Sequence, residues 1–175
     1  MEIIGEICGW TAAIATILVF LSKKSKGVLL TKAATEILWV LHFFFLGAYT
    51  GCATNGIGIW RDLSYTYLRP KNKKILWIMP ANVILLYAAV MVWTWAGPVS
   101  ILPMIGSSID ALGFFQKTSN RIRAFAIPSS LLWLFYCVYT LSIPGIVCNT
   151  LGIISIIVGF IKDARAKKEN KEISE

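Results

Sequence analysis

The sequence predicts an all-α integral membrane protein: seven transmembrane helices forming two parallel three-helix bundles joined by a linker helix. Three observations carry this. First, 57% of the 175 residues are hydrophobic and 15% charged, with a mean hydropathy of +0.68, which is more apolar surface than a globule of this size buries. Second, seven apolar stretches each approach the roughly 20 residues that cross a hydrocarbon core as a helix, the element that satisfies its own backbone groups. Third, the chain nearly repeats itself at an offset of 94. Leu18, Phe20, Lys23, Ser25, Leu38, Trp39, Gly51, Asn55, Gly58 and Ile59 recur without a gap as Leu112, Phe114, Lys117, Ser119, Leu132, Trp133, Gly145, Asn149, Gly152 and Ile153. Trp, Asn and Gly are scarcer here than Leu or Ile, so their return in the same order carries most of the weight.

The spans follow in order. Residues 3–21 form the first; Met1-Glu2 lacks the basic start of a cleaved signal, so this segment reads as a retained helix. The second, 28–46, contains Glu36, Trp39 and His42. In the third, 49–68, Gly51, Asn55 and Gly58 fall at i, i+4 and i+7, a single helical face whose glycines let a neighbouring backbone approach and seat the Asn beside a central cavity. The fourth, 75–95, has Pro80 and Asn82 but no charge and no repeat partner, which suits a linker. The fifth, 98–116, holds Pro103, Gly106 and Asp110; the sixth, 122–141, holds Pro128 and Trp133. The seventh, 143–162, repeats the third's pattern as Gly145, Asn149 and Gly152.

The chain therefore divides into a first three-helix repeat (1–69), a linker helix (70–96), a second repeat (97–163) and a short tail (164–175) that reads as a frayed helix end or disordered stub. A single linker crossing starts both triplets on the same side, as parallel repeats.

Basic residues follow only the odd-numbered spans: Lys23, Lys24 and Lys26; Arg69, Lys71, Lys73 and Lys74; Lys117, Arg121 and Arg123; Lys162, Arg165, Lys167, Lys168 and Lys171. Lys and Arg near helix ends are retained on the cytoplasmic side, which places the N-terminus outside and the C-terminus in the cytoplasm. The net charge of +8 is thus spent on one membrane face and points to anionic headgroups, with no nucleic-acid partner. Cys8, Cys52, Cys137 and Cys148 show no metal spacing and read as small buried hydrophobes. No disulfide, metal or cofactor is expected.

The run His42-Phe43-Phe44-Phe45-Leu46-Gly47-Ala48-Tyr49, the stretch Leu102-Pro103-Met104-Ile105-Gly106 and the layout of nearly the whole chain resemble the YgjV-type bacterial inner membrane proteins. That family is grouped with the SWEET, SemiSWEET and PQ-loop proteins, a superfamily that also includes vitamin transporters and the KDEL receptor. The resemblance implies a bacterial inner-membrane location and a SWEET-like 3+1+3 arrangement. In SWEET-type transporters a Trp on the second helix of each repeat and an Asn on the third face a central cavity and hold the sugar, which implies substrate-binding roles for Trp39 with Asn55 and Trp133 with Asn149. An indole packs on the apolar face of a ring-containing solute, and an amide supplies donor and acceptor to its hydroxyls. The alternative is that each Trp fills a helix interface and each Asn bonds a neighbouring helix. The PQ-type dipeptide is absent, with Ala15-Thr16 and Ile109-Asp110 in its place; Pro103, Gly106 and Pro128 offer other kink sites.

Ionisable residues within spans are costly in hydrocarbon and face bundle interiors or aqueous paths. Glu36, Asp110 and His42 are therefore further candidates: the two carboxylates to bind solute hydroxyls, carry a proton or pair with a donor, and His42 chiefly as an interfacial donor. Lys32, Arg61 and Asp62 lie close enough to the cytoplasmic face to snorkel or pair. There is no Gly-x-Ser-x-Gly, His-Glu-x-x-His or Gly-x-x-x-x-Gly-Lys motif, so an enzyme is not expected. The expected function is a carrier for a small polar ring-containing solute (sugar, nucleoside or vitamin) working by alternating access. The alternative is a receptor or assembly protein on the same fold.

Overall fold

A computed structural model describes residues 2–19, 25–68, 73–116 and 119–174. All regular structure among them is helical: α1 (Glu2–Val19), α2 (Ser25–Phe45), α3 (Tyr49–Tyr67), α4 (Lys73–Trp93), α5 (Ile101–Phe114), α6 (Ser119–Tyr139) and α7 (Ile143–Ser174), with a 3-10 turn at Pro98–Ser100 leading into α5. Each helix falls on one of the predicted spans. α7 runs on through most of the predicted tail, so that segment is helix rather than disordered stub. The loop residues Lys23, Lys24, Arg69, Lys71 and Lys117 lie outside the described residues.

The two short turns have the same construction. Between α2 and α3, Gly47 takes φ +72°, and Ala48 N–H donates to Phe43 O at 2.9 Å. Between α6 and α7, Leu141 takes φ +55°, and Ser142 N–H donates to Cys137 O at 2.9 Å. Both are helix C-termini closed by a residue in the left-handed region and a six-to-one hydrogen bond. The turns are offset by 94 residues, although Leu stands in one where Gly stands in the other.

Packing runs round six helices: α1 on α2, α2 on α3, α3 on α5, α5 on α6, α6 on α7 and α7 on α1. The remaining helix, α4, packs on α3 and α5. It buries Pro80, Val83 and Tyr87 and exposes Trp77, Leu85, Val92 and Trp93, so its inward face is one stripe and the rest is apolar surface suited to lipid. One core gathers Leu29, Tyr65, Val83, Tyr87, Ala111 and Phe115; a second gathers Phe43, Ala48, Tyr136 and Cys137 with Trp39 and Trp133 against them.

Among the described residues, three helices hold segments long and apolar enough to cross a membrane: Leu76–Trp93, Arg121–Tyr139 and Ile143–Ile161. Shorter apolar runs occupy Ile3–Ile17 and Pro98–Phe114. α2 and α3 are less apolar because they carry Lys32, Glu36, Arg61 and Asp62, and the last three of these are buried inside the bundle.

Candidate functional site

The site builds outward from Glu36. Eleven residues into a 21-residue helix, it sits about 16 Å along an axis of about 31 Å, midway along α2. A charge at that depth needs room and partners. Gly58 on α3 supplies the room: a Cβ there would meet the Glu36 carboxylate, with its Cδ 2.6 Å away. The partners are Lys32 Nζ, which donates to Glu36 Oε1 at 2.8 Å, and Arg61 Nη2, which donates to the same oxygen at 3.0 Å.

Arg61 is the hub of the network. Its Nε donates to Asp62 Oδ1 at 2.7 Å and its Nη1 to Tyr87 OH at 3.3 Å, so one guanidinium ties α2, α3 and α4 together. A planar five-donor fork does this where an ammonium cannot. Arg61 is 2% exposed and Asp62 fully buried, so these two residues pair inside the bundle rather than snorkel to its end. From α5, the Phe114 ring lies 5.2 Å from both Lys32 Nζ and the Arg61 guanidinium carbon, a cation–π arrangement that replaces lost hydration. Asp110, also on α5, faces Ser129 and lies within Coulombic range of Lys32 and Arg61. Glu36 and Asp110 thus share one network.

An aromatic layer covers this network on the side of the short turns. The Trp39 ring stacks on Phe43 at 5.9 Å, Phe43 lies 5.8 Å from Trp133, and Trp133 meets Tyr136 edge-on at 5.8 Å. The two tryptophans of the repeat are therefore brought into one cluster, with Phe43 between them. Trp39 Nε1 donates to Thr16 Oγ1 at 3.2 Å, and Gly106 leaves room for Trp133.

The asparagines share one bond, and Asn149 adds a second, to Cys137 Sγ of α6 at 3.9 Å. Asn55 Nδ2 donates to Gly51 O at 2.7 Å and Asn149 Nδ2 to Gly145 O at 2.8 Å, each four residues back on its own helix. The repeated glycines make room for side chains rather than for a neighbouring backbone: Gly51 abuts Tyr136 and Phe43, Gly58 abuts Glu36, and Gly145 abuts Cys137 and Ser142. Around Gly152 the space is open.

His42 is fully buried with both ring nitrogens engaged: Nδ1 with Gly5 O and Nε2 with Ser142 Oγ, each at 2.7 Å. A carbonyl only accepts, so Nδ1 carries the proton and Nε2 accepts from the Ser142 hydroxyl. Its repeat counterpart, Tyr136, makes the reciprocal reach. Tyr136 OH accepts from Gly51 N–H at 2.9 Å and donates to Ala48 O at 3.4 Å. Ala48 and Gly51 are the equivalents, 94 residues earlier, of Ser142 and Gly145, and Gly145 N–H donates to Ser142 Oγ at 3.2 Å. Each triplet thus inserts a polar ring from its second helix into the other's turn.

Residues 3–167 match the family model of Imp-YgjV, described as a bacterial inner membrane protein. The chain belongs to that family. No curated protein and no solved structure matches it. This Imp-YgjV protein is thus a bacterial inner membrane protein whose charged side chains converge inside its helical bundle.

Several residues of the site escaped the sequence reading. Arg61 and Asp62 read as charges near the cytoplasmic end of a span and not as the hub, and Tyr87 sits in a span that reads as a plain linker. Phe43 carries no signal among so many apolar residues.

Proposed function

We propose that this protein is a carrier for a small polar ring-containing solute, built as seven crossings in a SWEET-like 3+1+3 arrangement with the N-terminus outside and the C-terminus cytoplasmic. The observation that carries the reading is the reciprocal exchange of His42 and Tyr136 between α1–α3 and α5–α7. Two like bundles that clasp each other at one end, with a charged network between them at mid-depth, form the parts an alternating-access carrier needs. The repeated turns and the matched Asn55 and Asn149 bonds support an internal repeat. Rocking of the bundles would open the turn end by parting His42 from Ser142 and Tyr136 from Gly51.

Trp39 and Trp133 present the stacking faces of the solute site. Glu36, Asp110 and Lys32 present hydrogen-bonding groups below them. In the closed arrangement Phe43 fills the gap between the indoles, so a bound ring takes the place that Phe43 occupies. The same observation favours the second reading, a packing scaffold or receptor without transport, in which Phe43 never leaves. Anionic headgroups at the basic end are the expected lipid neighbours, and no catalytic role is assigned.

The test is thermal stability of the detergent-purified protein across sugars, nucleosides and vitamins, beside Trp133→Ala and Asn149→Ala variants. A ligand at 100 times its dissociation constant adds about 2.7 kcal/mol to the native state. The carrier reading expects a compound that stabilises the wild type and neither variant. If no compound shifts the wild type, the scaffold reading stands instead.

A further inference from the structure

The charged network does not balance. Lys32 and Arg61 supply two positive charges; Glu36, Asp62 and Asp110 supply three negative ones, with Arg61, Glu36 and Asp62 buried and Lys32 and Asp110 half-buried. The hydrogen bonds show which buried oxygen is left bare. Glu36 Oε1 takes two cationic donors and Asp62 Oδ1 takes one. Asp110 is only half-buried. Asp62 Oδ2, on a fully buried residue, is the one buried side-chain oxygen or nitrogen without a hydrogen-bond partner among the described residues. An ionised oxygen left bare in a low-dielectric interior costs far more than a neutral O–H in the same place.

We propose that Asp62 is a proton-binding site: its carboxylate takes one proton from water on Oδ2 and holds it as a neutral carboxylic acid in the closed arrangement, leaving the network uncharged. Every charged or titratable group that faces Asp62 fits this role. From α2 come Lys32 and Glu36, from α3 Arg61 and from α4 Tyr87; Asp110 on α5 acts on the same two cations, Lys32 and Arg61. Lys32 and Arg61 direct their donors to Glu36 Oε1, Asp62 Oδ1 and Tyr87 OH, and none of these groups lies within hydrogen-bond distance of Oδ2. Parting the bundles would loosen the fork of Arg61 and let the proton leave. As the coupling ion of a carrier, this proton rests on the reading above; its residence on Asp62 does not.

The experiment is infrared spectroscopy of the full-length protein in lipid at neutral pH, following the carbonyl stretch of protonated carboxyl groups. The wild type shows a buried protonated-carboxyl band that shifts in heavy water, vanishes in Asp62→Asn, moves in frequency in Asp62→Glu, and stays in place in the charge-preserving Asp110→Glu and Glu36→Asp. Asp62→Asn, which swaps one neutral group for another of the same shape, folds and melts within a few degrees of wild type. Absence of the band in wild type, its survival in Asp62→Asn or its movement in Asp110→Glu overturns the assignment. So does failure of Asp62→Asn to fold while Asp110→Asn folds, which would mean the ionised carboxylate is required. Loss of the wild-type band when sodium chloride replaces choline chloride would make this a sodium site instead. None of these readouts needs a solute, so the carrier reading can fail while the proton site stands.

Discussion

Replacing Gly58 with Ala tests the charged network through a single methyl group. A Cβ at Gly58 would collide with the Glu36 carboxylate, whose Cδ lies 2.6 Å from the Cβ position, whereas one at Gly152, the repeat counterpart, meets nothing within 4 Å. Glu36 must therefore move, and its bonds to Lys32 and Arg61 at 2.8 and 3.0 Å move with it. Breaking a buried ion pair costs about 3 to 5 kcal/mol, and Gly→Ala within a helix returns about 0.5 to 1. Gly58→Ala is thus expected to lose about 2 to 4 kcal/mol, while Gly152→Ala is neutral or gains up to about 1 kcal/mol. Detergent-phase unfolding followed by tryptophan fluorescence measures both. Equal tolerance at the two positions would refute the placement of Glu36 against α3.

Two further changes follow from the geometry. Arg61→Lys is expected to destabilise nearly as much as Arg61→Met, by about 3 kcal/mol or more in the same unfolding assay, because an ammonium cannot reach Glu36, Asp62 and Tyr87 together; full rescue by Lys would count against a fork. Leu141 is 75% exposed and held at φ +55°, so Leu141→Gly should gain about 1 kcal/mol and Gly47→Leu lose a similar amount. A loss in Leu141→Gly, or no loss in Gly47→Leu, would show that the two turns are not alike.

The helices were legible because an apolar run of fixed length is a one-dimensional signal. The joining of Trp39 and Trp133 in one cluster matches their like positions 94 residues apart. The network was harder. Arg61 and Asp62 read as charges near the end of a span, and nothing in the linear pattern says that they face Glu36 on α2 and Tyr87 on α4. His42 was expected as an interfacial donor, but its partners are a backbone carbonyl of α1 and a serine 100 residues away, which no periodicity encodes. Each asparagine bonds a carbonyl of its own helix, a choice made by local backbone geometry, and Asn149 alone also reaches a neighbour, Cys137 Sγ of α6. Phe43 was invisible because filling a gap between two indoles requires only size and position.

The most direct test of the carrier is solute flux. Protein reconstituted into liposomes is loaded with the compound that gives the largest thermal shift, and uptake is compared between wild type, Trp133→Ala and protein-free vesicles. The account predicts saturable uptake by the wild type that falls to the protein-free rate in Trp133→Ala. A compound that binds the wild type tightly yet crosses no faster than in protein-free vesicles would contradict it and leave a receptor on the same scaffold.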